Sequence, residues 1–82
     1  MEKSIYTREY TAFLRLLRQT REEAKLTQEG LAEAIEKSQS FVSKVERGET
    51  RLDIIQLRTV LTAFGTTLAS FALRLERELK RT

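Results

Sequence analysis

Gln39, Ser40 and Lys44 are the residues of this chain whose types and spacing point most directly to a chemistry. They lie in the stretch SQSFVSKVERGE, residues 38–49, where Val42 and Val45 keep an apolar helical spacing. Helices usually open on Asp or Glu, which suit the positive end of the macrodipole. This one opens on Gln39 and Ser40. On a helix, Ser40 and Lys44 are one turn apart on a shared face, and Gln39 stands beside Ser40. Such a face offers donors and acceptors without negative charge. A glutamine amide matches the N6/N7 edge of adenine, and a serine hydroxyl can contact either kind of base. The competing reading is an ordinary solvated helix face.

Other polar residues frame this group. Gln28 falls in the first turn of a preceding helix, where a side-chain amide and helix N–H groups can hold a phosphate. Lys37 and Arg51 flank the segment in turns, as phosphate contacts or as solubilising charges. Ser43 can touch a phosphate or a base. Phe41 is read as part of the core. Catalysis has no comparable support. The chain contains no cysteine and no histidine, which removes thiolate metal sites, disulfides and an imidazole base. The twelve Asp and Glu residues are scattered over helix surfaces, and there is no glycine-rich phosphate loop. The expectation is a protein that is not an enzyme and that uses no metal and no cofactor.

Helices must position these groups. Tyr10, Phe13, Leu14, Leu17, Arg21 and Ala24 share one face of a first helix, about 8–24, capped by Thr7. Arg21 is the one charge on that apolar stripe. Thr27 caps a short second helix with Leu31, Ala32 and Ile35 facing inward, and Ser38 caps a third that Gly48 ends. Asp53 and Gln56 form a capping-box pattern, flanked by Leu52 and Leu57 as a hydrophobic staple. The fourth helix then carries Ile54, Leu57, Leu61 and Phe64 inward and stops at Gly65. Thr67 caps a fifth, about 68–80, with Leu68, Phe71, Ala72, Leu75 and Leu79 on one face. The expected fold is therefore all-α: a five-helix bundle containing a helix-turn-helix at about 27–47, in which the second short helix can enter a DNA major groove.

The bounds agree. A chain of 82 residues is read as a single domain, 1–82, with a limited core. Its net charge of +3 is compatible with nucleic acid. No stretch approaches a membrane span and the first residues lack a signal-peptide pattern, so a cytoplasmic protein is expected.

Residues 26–48, LTQEGLAEAIEKSQSFVSKVERG, resemble the phage-repressor-type (Xre/Cro) helix-turn-helix proteins of bacteria and their phages. The matching pieces are LTQ, LA, SQS and ERG in that order, followed by a helix with an acidic cap. The likeness extends more loosely over about 8–75. Two positions depart from the pattern: Glu36 stands where a turn glycine is common, and Gly30 where a Glu is common. The resemblance implies a sequence-specific, nucleoid-associated transcriptional regulator, a homodimeric repressor on a pseudo-palindromic operator in double-stranded DNA. It also implies an ion pair between Arg21 and Glu46, and a hydrogen bond between Gln28 and Gln39. Two further readings are an antitoxin with a toxin protein as partner and a restriction–modification controller. A purely structural helical module is a third.

Large apolar residues on the fifth helix motivate dimerisation. Leu73 points away from Leu75, so one helix face cannot take all of them into one core. Leu68, Phe71 and Leu75 are the expected dimer contacts.

Overall fold

Five helices build the molecule in this computed structural model, which describes residues 7–81. They are α1 (Arg8–Glu23), α2 (Gln28–Ile35), α3 (Gln39–Glu46), α4 (Ile54–Ala63) and α5 (Leu68–Arg81). No strand occurs among the described residues. Each start follows from a side-chain cap. Thr7, Thr27 and Ser38 accept from the backbone N–H three residues on, and Thr67 does the same for Ser70. Asp53 and Gln56 complete a reciprocal capping box at 2.7 and 3.0 Å. These bonds satisfy N–H groups that a helix cannot pair within itself.

The turn between α2 and α3 keeps a left-handed residue without a glycine. Glu36 sits at φ 59°, ψ 46° and caps α2. Its chain reversal is closed by Lys37 N–H donating to Ala32 C=O at 2.9 Å. A second non-glycine residue, Lys25 at φ 63°, closes α1 in the same way.

The core is built from Leu16 and Leu17 of α1, Leu31 and Ala32 of α2, Val42 and Val45 of α3, Val60 and Leu61 of α4, and Phe71 of α5. Leu61 lies at its centre, with no exposed surface. α2 packs chiefly on α3 and also on α4, and α1 packs chiefly on α5. Phe13 meets Phe71 edge to face at 5.9 Å. At the surface, Arg74 of α5 reaches Glu23 of α1 with bonds of 3.0 and 3.2 Å.

Three expectations are corrected here. Ile54 is not part of the buried stripe but 61% exposed; the inward face of α4 begins at Leu57 and includes Val60. The first turn of α4 lies at the surface, with Asp53, Ile54 and Ile55 all exposed. Ala72 of α5 is exposed as well. Phe71, expected at a dimer contact, is 3% exposed and fills the core, so it has no surface to offer a second copy. Leu68 and Leu75 pack partly against the same core. Among the described residues no single helix is long and apolar enough to cross a membrane.

Candidate nucleic-acid interface

Val42 and Val45 anchor α3 in the core, and this decides which of its residues look outward. Ser38 Oγ accepts from Phe41 N–H at 3.0 Å and fixes the first turn. Phe41 then packs partly against the core, with the Lys37 ammonium 5.4 Å from its ring centroid. Gln39, Ser40 and Lys44 are left exposed, Ser43 half-buried, on the side away from the two valines. The first turn carries no acidic residue. The outer face of α3 is therefore a short strip of amide, hydroxyl and ammonium groups.

Beneath this strip lies a polar hub. Arg21 Nε donates to Glu46 Oε2 at 2.6 Å, and a second guanidinium nitrogen donates to Oε1 at 3.2 Å. A third donates to the Leu26 carbonyl at 2.7 Å. The two side chains are only 9% and 4% exposed. One guanidinium thus joins α1, the turn entering α2, and α3. Gln28 Nε2 adds a bond to Glu46 Oε1 at 2.9 Å, and Arg18 Nε stands 3.6 Å from the same oxygen. Burial pushes the Glu46 carboxyl up; the bonds from Arg21 and Gln28 and the charges of Arg21 and Arg18 outweigh it and hold the group below the usual carboxylate range.

The resemblance implied that Gln28 bonds Gln39. In the structure the Gln28 amide goes to Glu46 instead. A carboxylate only accepts, so it orients the amide with its NH2 inward. It is also a stronger acceptor than a neutral amide oxygen. Gln28 is thereby positioned from below, by the residue that also holds Arg21.

Arg51 lies in the connection between α3 and α4. Its guanidinium stacks over the Tyr10 ring at 4.3 Å. Burial raises the Tyr10 pKa, and the Arg51 charge works against that rise. Sequence reasoning missed Arg47, the C-cap of α3. It is exposed, one turn beyond Ser43, and its side chain bonds Ser43 and Glu49. The spacing Ser43, Lys44, Arg47 was itself the signal, since residues three and four apart share a helix face.

Comparison with known proteins agrees with this geometry. A helix-turn-helix family model matches residues 17–71, which takes in α2, α3, α4 and the turns between them. The chain is also similar to the crystal structure of the clp gene regulator ClgR from C. glutamicum, at 26% identity and a TM-score of 0.75, over 93% of this chain and 97% of that one. Among curated proteins, no sequence matches. The match spans most of the chain and falls on the elements that carry the outward polar strip, and the chain belongs to the helix-turn-helix family of DNA-binding proteins, in its Xre-type branch.

Proposed function

We propose that the protein is a sequence-specific transcriptional regulator, a repressor that binds a pseudo-palindromic operator as a homodimer. The observation that carries this is the outward face of α3: uncharged in its first turn, rich in hydrogen-bonding atoms, and held in place by buried Val42 and Val45. In this reading α3 lies in the major groove. Gln39 and Ser40 reach base edges, and Lys44, one turn on, reaches a guanine edge or a flanking phosphate. Lys37, Ser43 and Arg51 hold the phosphate backbone and set the register; at Gln28 the N-terminal backbone N–H of α2 does so, since the side-chain NH2 is engaged by Glu46.

A twofold partner is supported by an apolar groove of about 500 Å³ between α1, the start of α4 and α5. Tyr10, Phe13, Leu57, Leu75, Leu79 and exposed Ile54 line it, together with the charged side chains of Glu9, Arg51 and Asp53. Two copies joined there would present the same patch to each other. The dimer contacts in this reading are Leu75, Leu79 and Ile54, which line the groove; Leu68, on the same helix as the two leucines, does not line it.

The experiment is selection of bound sequences from random duplex DNA. The expected result is one enriched half-site, repeated with twofold symmetry about one DNA turn (~34 Å) away. Recovery of unenriched sequence would overturn the reading.

A further inference from the structure

Arg47 and Glu49 form a clamp at the end of α3 that the reading above leaves unused. Gly48, at φ +81°, turns the chain back on the helix. A Cβ there would meet Leu14 Cδ1 at 3.1 Å, so the turn is seated against α1. Glu49 N–H then donates to Lys44 C=O at 2.8 Å and fastens the turn to the last turn of α3. This brings the Glu49 carboxylate in front of Arg47. Arg47 Nε donates to Glu49 Oε2 at 2.9 Å and the terminal nitrogen Nη2 to Oε1 at 3.1 Å. The other, Nη1, donates to Ser43 Oγ. All three guanidinium nitrogens are engaged, yet both charged side chains remain about half exposed, at 53% and 48%.

We propose that Arg47 is a latent phosphate contact of the DNA interface and that Glu49 withholds it. This rests on the DNA-binding reading. The carboxylate presents two acceptor oxygens to the planar fork, which is the arrangement a phosphate would offer. Glu49 thus stands in for a phosphate on the protein itself. The clamp lies on the face that bears Ser43 and Lys44, and the Lys44 charge also acts on Glu49. The bonds from Arg47 hold the Glu49 carboxyl below the usual carboxylate range, so it is ionised at neutral pH. The consequence is a recognition helix with a weaker grip on DNA of any sequence, and so a larger share of its affinity in base contacts.

The test is a mutant cycle on a random-sequence duplex, with affinity measured between 50 and 200 mM salt. Glu49→Gln keeps the shape of the side chain but removes its charge and one of the two acceptors, and so loosens the clamp. It is expected to tighten binding and to add about 0.9 to the salt slope, as one new phosphate contact would, which over that fourfold salt range is about a 3.5-fold steeper loss of affinity. Arg47→Gln alone is expected to change binding little, because Arg47 is already withheld. In the double variant Arg47→Gln/Glu49→Gln, the gain is expected to vanish. A gain that persists without Arg47 would show Glu49 acting as a lone repulsive charge and would overturn the clamp while leaving DNA binding intact. Wild-type protein with no salt-sensitive affinity for any duplex would overturn the DNA reading and the clamp with it.

Discussion

At the scale of single residues, Glu46 joins stability to the interface. It accepts from Arg21 and Gln28, so it ties α1 and α2 to α3 from inside. Removing one partner of a buried pair leaves the other charge without compensation, at a cost of roughly 3–5 kcal/mol. Arg21→Ala and Glu46→Ala are both expected to lower the melting temperature strongly, and unchanged melting would contradict the burial seen here. The bridge is also a pH device. The folded-state pKa of Glu46 lies below its ordinary value of 4.5. Its contribution is therefore complete above that value and is lost as pH falls through the lower, folded one. In melts between pH 7 and 3, Glu46→Gln is expected to lose stability at neutral pH and to show a shallower decline in acid than the wild type. Arg21 stood out in the sequence as a charge on an apolar stripe, and a buried charge requires a partner. The bond from Gln28 to Glu46 was not legible, since nothing in the spacing tells an amide which of two acceptors it will meet.

At the scale of elements, caps and turns do most of the specifying. Thr7, Thr27, Ser38 and Asp53 each precede a helix and each accepts the N–H expected of it, because a cap is a local matter of a few bonds. The inward faces were less legible. Ile54 and Val60 are both apolar and nearly two turns apart, and only the way α4 lies on its neighbours makes one exposed and the other buried. The turn at Glu36 adopts the left-handed conformation that a glycine would take without steric cost. A side chain there costs about 1–2 kcal/mol, partly offset by the entropy that glycine loses on folding. Glu36→Gly is expected to raise stability by about 0.5–1 kcal/mol, read as a small rise in melting temperature, with DNA affinity for the preferred site unchanged in base preference. A fall in stability would mean that Glu36 holds the turn by a contact outweighing its strain.

At the scale of the whole molecule, the core and the outward strip of α3 serve one end. The helices close around Leu61, and the strip rides on the two valines that reach inward. The groove beside Ile54 leaves apolar surface uncovered in one copy. Sedimentation is expected to show a dimer at tens of micromolar, and Leu79→Glu is expected to shift it to monomer without lowering the melting temperature of the monomer. A wild-type monomer, both free and on DNA, would contradict the homodimer. Phe71 shows why a core residue was read as a surface one: apolar periodicity in the sequence does not separate core from surface positions, and burial in the fold does. In the proposed function α3 reads base edges. Its most direct test is a base-by-base binding matrix for the selected site, measured with wild type and Gln39→Ala. The expected result is a loss of about 1–3 kcal/mol on the preferred site and a relaxed choice of base at one position in each half, where adenine was required. A matrix that Gln39→Ala leaves unchanged would contradict it, and would reduce SQS to the start of a helix.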